Sequence, residues 1–190
     1  MAKFTKMETP VSGLFEVVPQ VFSDGRGYFV ERWNIQALLG IGIDLTNNLK
    51  QGNESCSQKG TLRGMHFQFN KPQGKFVWVV QGEAFDAVID IRPGSKTFGK
   101  WYGLVLSEQN FKALYMPPGF AHGFLVLSDS AKFQYLVFEG EYYPKDEGGI
   151  IWNDPDIGIQ WPLHEYGLTE ASILLSEKDR QWPKLGELKL

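Results

Sequence analysis

The sequence predicts an all-β protein, an antiparallel sandwich or small barrel with a few short helices. Three observations carry this. Strand-like segments recur about every ten residues. Helical periodicity is almost absent. The composition joins 14% aromatic residues with 21 Gly and 10 Pro, which suits short strands linked by tight turns, with aromatic side chains walling a cavity. A barrel of this size can hold one ligand in its mouth.

The elements follow in order. Leu14–Val21 reads as a first strand. Asp24-Gly25-Arg26-Gly27 is turn chemistry, and Tyr28–Trp33 reads as the strand after it. Ile35–Leu39 is the first plausible helix, and it is short. Phe76–Gln81 is apolar and β-branched. Ala84–Ile91 alternates loosely, with Phe85, Ala87, Ile89 and Ile91 on one face. Pro93-Gly94 breaks the chain. Trp101–Leu106 is a strand, Ser107–Phe111 a turn, and Ala113–Met116 another strand. Pro117-Pro118-Gly119 stops it, and strands resume at Gly123–Leu127 and Phe133–Phe138. Trp152-Asn153-Asp154-Pro155 is a turn, and Ser172–Asp179 reads as strand, loop or short helix. His66 and His122 fall where strands end. No repeat, low-complexity tract or linker divides the 190 residues, so a single domain over 1–190 is expected.

Composition narrows the function classes. A net charge of −3 argues against general nucleic-acid or anionic-membrane binding, while leaving room for a local basic pocket. The one cysteine, Cys56, excludes an internal disulfide and suits a reduced, cytoplasmic protein. Met1–Pro10 lacks the apolar stretch of a signal peptide. The longest apolar run, Phe76–Val80, is far too short to cross a bilayer.

The chemistry concentrates in Leu62-Arg63-Gly64-Met65-His66-Phe67-Gln68, followed by Gln73-Gly74-Lys75. Histidine moves protons at neutral pH. Arginine and lysine hold phosphate and steady negative charge forming on an oxygen. A histidine with cations at this spacing suggests proton abstraction from a phosphorylated substrate.

Two segments, Gly64–Gly82 around His66 and Pro118–His122, resemble the paired motifs of the cupin barrel. Metal-binding cupins carry His-x-His and a Glu in the first motif. Here Gln68 stands at the second His, and Lys71, Gln73 and Lys75 fill the stretch where the Glu belongs. Two imidazoles are too few for a first-row metal, and Lys75 would repel a cation. A metal-free barrel that needs no cofactor is expected.

The chain also resembles the dTDP-4-dehydrorhamnose 3,5-epimerase family. The matching stretches, in order, are Asp24–Glu31, Gln51–Ser55, Leu62–Gln68 with Gln73–Lys75, Phe85–Arg92, Thr97–Gly99, Pro118–Phe124, Trp152–Pro155 and Ser176–Asp179. The resemblance implies a cupin-type β-sandwich or jelly-roll barrel acting on a nucleotide-linked 4-keto-6-deoxy sugar. The ketone acidifies the hydrogens on C3 and C5. A base removes one, an enolate forms, and a proton returns on the opposite face.

By motif match, His66 is the base, Asp179 orients it, Lys75 steadies the enolate oxygen, and Tyr135 is the acid at C5. Arg26 and Arg63 grip the diphosphate. Phe29, Glu31 and Gln51 contact the substrate's nucleotide end, Asn53 binds substrate, Tyr143 lines the nucleotide pocket, and His122 lies in the wall. Plainer readings stand beside these. Arg26 would cap a surface turn, Asp179 would be a solvated tail charge, and His122 or His66 a satisfied core histidine. The segment after Tyr135 departs from the family's Tyr-Lys-x-Thr-x-Tyr-Tyr: Leu136 replaces the lysine, the threonine is missing, and the gap to Tyr142-Tyr143 is longer. A single-site 3- or 5-epimerase therefore remains an alternative, as does a non-catalytic barrel that binds nucleotide sugars. The resemblance also implies a homodimer with exchanged N-terminal strands.

Overall fold

The structure is a computed structural model describing residues 3–46 and 48–190; the first two residues of the amino-terminal stretch lie outside it. The strands are β1 (Phe4–Glu8), β2 (Phe15–Pro19), β3 (Val21–Asp24), β4 (Gly27–Val30), β5 (Gln51–Gln58), β6 (Leu62–Gln68) and β7 (Gly74–Gln81). They continue with β8 (Glu83–Asp90), β9 (Trp101–Ser107), β10 (Ala113–Met116), β11 (Phe120–Val126), β12 (Ser130–Phe138) and β13 (Glu147–Gly149). One short helix, α1 (Ile35–Leu39), and four single-turn 3₁₀ segments complete the described residues. The all-β expectation holds.

Two antiparallel sheets face each other. One has the order β1-β2-β10-β7-β12-β5, the other β13-β6-β11-β8-β9, and β3-β4 is a separate hairpin. Between the sheets lies a core built from Val77, Val79, Leu114 and Phe133 on one side and Val88, Leu104, Phe120 and Phe124 on the other. Phe124 and Phe133 stack across it at 4.2 Å between centroids. Burying an aromatic side chain of this kind stabilises the fold by roughly 1.5–3 kcal/mol.

The outer faces are also covered. Trp152, Leu168, Ile173 and Leu185 from the C-terminal segment pack on the five-stranded sheet. Leu38, Ile43 and Leu45 pack on the six-stranded sheet. Strands buried on both faces need not alternate. The face read for Ala84–Ile91 holds, for Phe85, Ala87, Ile89 and Ile91 pack together outward; the other face is buried too, with Ala84 and Val88 in the central core and Asp86 and Asp90 fully buried.

Local chemistry explains the remaining departures. The expected strand Leu14–Val21 divides after Pro19, which has no N–H for the ladder. Helix α1 starts where Asn34 caps the Ala37 N–H at 3.1 Å. Strand β11 begins at Phe120, so His122 lies inside a strand rather than at its end. Strand β1, with one buried residue, and the wholly polar β5 carry no apolar pattern and escaped the sequence reading. Ser172–Asp179 is irregular, tied to the barrel by a bridge between Thr61 and Leu174.

Candidate active site

The end of the barrel opens into a hollow of about 700 Å³, with a side lobe of about 190 Å³. A β-bulge aims its key residues. His66 pairs with His122, whereas Arg63 pairs with Phe124, so three residue steps on β6 oppose two on β11. Residues 63 and 66 would point to opposite faces of a regular strand. The extra residue brings both into the hollow. The strands approach so closely here that a Cβ on Gly64 would sit 2.5 Å from the Gly123 Cα, and Gly64 has φ +141°.

His66 is held by the C-terminal segment. Its Nε2 lies 2.5 Å from Asp179 Oδ1, and the Trp182 indole donates to the same oxygen at 3.1 Å. The Asp179 N–H donates to Ser176 Oγ at 3.1 Å. Burial alone would raise the Asp179 carboxyl, but hydrogen bonds from His66, Ser176 and Trp182 bring it below the usual carboxylate range. An ionised carboxylate on Nε2 keeps the proton there and leaves the lone pair on Nδ1. That nitrogen makes no hydrogen bond among the described residues and lies 3.9 Å from Glu147 Oε1. The plainer reading of Asp179 as a solvated tail charge is corrected, for the residue is 3% exposed.

The opposite wall comes from the six-stranded sheet. Lys75 and Tyr135 line both the hollow and its lobe. Burial pushes the Lys75 ammonium down to about 8, against the opposing pull of Asp86 and Glu147. Burial raises the Tyr135 phenol. Arg63 donates to Ser57 Oγ at 3.1 Å. His122 is both a wall residue and a satisfied buried one: its Nε2 donates to Asp86 Oδ2 at 2.8 Å, and burial lowers its basicity. Gln51 and Asn53 line the lobe, where Gln51 Oε1 accepts the Tyr142 N–H at 3.2 Å.

Four expected residues stand elsewhere. Arg26 is 90% exposed at its side chain and pairs with Asp24 at 2.6 Å in the β3-β4 hairpin. Phe29, on the same hairpin, is 67% exposed. Glu31 accepts from Asn34 at 3.0 Å. Within one chain none of the three borders the hollow around His66. Tyr143 gives its N–H to Gln68 Oε1 at 3.1 Å and is displaced from the pocket by its neighbour Tyr142, which lines both hollow and lobe.

Several wall residues escaped the sequence reading. Glu147 accepts from Lys178 Nζ at 2.8 Å and from the Tyr142 hydroxyl at 3.2 Å. Burial would lower Lys178, but its hydrogen bond to Glu147 raises it. Nothing in the local pattern around Glu147 marks it. Asp86, behind the wall residue His122, had a signal, a carboxylate in the middle of a strand with apolar residues on both sides. Among the described residues, no three His, Cys, Asp or Glu side chains are grouped to hold a metal ion.

The arrangement offers an oriented imidazole with a free nitrogen, a buried ammonium, a buried phenol and a guanidinium around one cavity. Comparison with known proteins agrees. The protein family described as dTDP-4-dehydrorhamnose 3,5-epimerase matches residues 8–187. A dTDP-4-dehydrorhamnose 3,5-epimerase of Methanothermobacter thermautotrophicus is 44% identical over 187 residues, covering 98% of this chain and 97% of the relative. The crystal structure of a dTDP-6-deoxy-D-glucose-3,5-epimerase from Legionella pneumophila, in complex with dTDP-4-keto-L-rhamnose, superposes with a TM-score of 0.90. It is 40% identical and covers 98% of this chain and 95% of that one. A 3'-monoepimerase from Streptomyces bikiniensis, in complex with dTDP-quinovose, has a TM-score of 0.83 at 32% identity, covering 94% and 86%. With matches running almost end to end, the chain belongs to the dTDP-4-dehydrorhamnose 3,5-epimerase family.

Proposed function

We propose that this protein is an isomerase that epimerises a dTDP-linked 4-keto-6-deoxy sugar at C3 and C5, converting dTDP-4-dehydro-6-deoxy-D-glucose to dTDP-4-dehydro-L-rhamnose. The observation that carries this is the 2.5 Å pairing of His66 with Asp179 at the wall of a cavity that also holds Lys75. Binding alone needs no oriented base.

His66 Nδ1 takes the proton from the carbon next to the ketone, and the C–H electron pair moves into the enolate with charge on O4. The imidazolium formed is stabilised by Asp179. Lys75 donates to the developing oxyanion. A proton then returns to carbon from the opposite face, and at C5 the Tyr135 phenol donates it. A phenol whose proton is held more tightly by burial stays protonated until the carbanion forms. Arg63 binds the diphosphate, with Gln51 and Asn53 toward the nucleotide. The chemistry needs no redox cofactor.

The protein acts as a homodimer in this reading. The β3-β4 hairpin pairs with neither main sheet and exposes Phe22, Tyr28 and Phe29 together. Seated against a second copy, with N-terminal strands exchanged, it would deliver Arg26, Phe29 and Glu31 to the partner's pocket. The substrate class and the single cysteine favour the cytoplasm, with no nucleic-acid or membrane partner. No helix among the described residues is long and apolar enough to cross a membrane.

Incubation with dTDP-4-keto-6-deoxyglucose in deuterated water, read by NMR, tests the proposal. Deuterium should enter at C3 and C5. Entry at C3 alone would favour the second reading, a single-site epimerase, which the likeness to the Streptomyces bikiniensis 3'-monoepimerase motivates. Entry at neither carbon would overturn both.

A further inference from the structure

The mechanism above leaves one buried carboxylate without a task. Asp86, on β8, is 0% exposed. Its Oδ2 accepts from His122, but its Oδ1 has no hydrogen-bond partner among the described residues. A bare carboxylate oxygen in a protein interior is costly unless a cation stands near it. Burial raises the Asp86 carboxyl, and His122 and then Lys75, the cation on β7 of the facing sheet, draw it back down. Asp86 and Lys75 sit too far apart to form an ion pair, so the ammonium keeps its three donors free.

The other groups around Lys75 each have a partner of their own. Glu147 on β13 is bound through Oε2 by Lys178 and Tyr142, its Oε1 lies 3.9 Å from His66 Nδ1, and its charge also supports Lys75, after that of Asp86. His66 on β6 is held by Asp179. Arg63 donates to Ser57. His122 on β11 is neutral through burial, and Tyr135 on β12 keeps its proton. Asp86 is therefore the fully buried carboxylate, with a buried oxygen that has no hydrogen-bond partner, that answers the Lys75 charge ahead of Glu147.

Resting on the reading of Lys75 as the group that steadies the enolate, we propose that Asp86 is a positioning residue that keeps the Lys75 ammonium charged inside the cavity. Through Oδ2 it also fixes the His122 tautomer, holding the proton on Nε2. It reaches the reaction through these two side chains and touches no substrate. A cation that must meet a new oxyanion in a desolvated site needs a counter-charge that does not occupy its donors, and an oxygen outside ion-pair distance meets that need.

The test follows Lys75 directly. Lysine labelled with ¹⁵N gives a side-chain NMR titration, with the Lys75 signal assigned by its loss in Lys75→Arg. In Asp86→Asn the Lys75 titration should fall by about one unit or more. The alkaline limb of kcat for deuterium exchange should fall with it, while KM changes by less than about threefold. An unmoved Lys75 titration overturns the inference, whatever happens to activity. A titration that falls while the kcat limb stays put overturns the reading of Lys75 as the enolate group, and with it the link from Asp86 to turnover. Should Asp86→Asn not fold, the unmodified protein with ¹³C-labelled aspartate serves. The Asp86 carboxyl carbon should show a second step at the Lys75 titration near pH 8, and a trace without that step overturns the proposal.

Discussion

Replacing Asp179 by asparagine removes one charge and almost no volume. The carboxylate is 3% exposed, 2.5 Å from His66 Nε2, and shared with the Trp182 indole. Two losses follow. The charge-assisted hydrogen bond becomes a neutral one, and such bonds differ by about 1–2 kcal/mol. The imidazolium formed on proton abstraction also loses its counter-charge. At about 4 Å between charge centres and an effective dielectric near 20, that is worth up to about 4 kcal/mol. The two overlap, so a combined loss of about 2–4 kcal/mol is expected, or roughly 30- to 1,000-fold in kcat. Substrate affinity should change little, because Asp179 steadies a charge that exists only after proton transfer. The assay is initial-rate deuterium incorporation at C3, with KM measured in parallel. Asp179→Asn should also add little in a His66→Asn background, since it acts through the ring. Turnover within threefold of the parent, or a loss confined to KM, would refute the reasoning.

His66→Asn should abolish exchange at both carbons while nucleotide binding, measured by calorimetry with dTDP, stays near the parent value; general-base loss costs about 10²–10⁴-fold, and exchange within tenfold would sink the assignment. Tyr135→Phe should leave deuterium entry at C3 intact and cut C5 inversion on the order of 10²-fold. If Tyr142→Phe does this instead, the acid is the other phenol of the hollow. Prolonged chelation should leave turnover unchanged; restoration by zinc, iron or nickel after a loss would contradict the metal-free reading. Asp90 is a stability test away from the site. Burial would raise its carboxyl, but Arg92, Ser95 and Thr97 hold it down at about 2. A depressed folded-state value contributes stability above the unfolded-state value near 4 and loses it as pH falls toward 2, so Asp90→Asn should cost about 2 kcal/mol at pH 7, with the gap to the parent closing between pH 4 and pH 2 in denaturant unfolding.

Periodicity made most of the core strands legible. Phe76–Gln81, Trp101–Leu106, Ala113–Met116 and Phe133–Phe138 each match or fall within an observed strand, because apolar side chains must leave water and their spacing records the pleat. Strand β5 was silent for the converse reason. Gln51, Asn53 and Ser55 line the hollow and its lobe rather than a packed core, so no apolar residue marks them. The Leu62–Lys75 motif pointed from residue chemistry to His66 and Lys75, which the fold brings to one hollow, and the ordered motifs pointed to the family.

Other features belong to the tertiary structure. The bulge that turns Arg63 and His66 to one face depends on pairing with β11, which local sequence does not encode. Asp179 is distant from His66 along the chain, and its meeting with Nε2 requires the C-terminal segment to wrap over the five-stranded sheet. Tyr142 rather than Tyr143 enters the cavity, with the two backbone N–H groups held by Gln51 and Gln68 from different strands. Glu147 and Asp86 come to act on the Lys75 charge only when the fold brings β13 and β8 opposite β7. Residue types carry the chemistry a chain is capable of. Which of them share a cavity, with which nitrogen free and which charge unanswered, is set by long-range pairing and burial, and no local pattern of residues contains it.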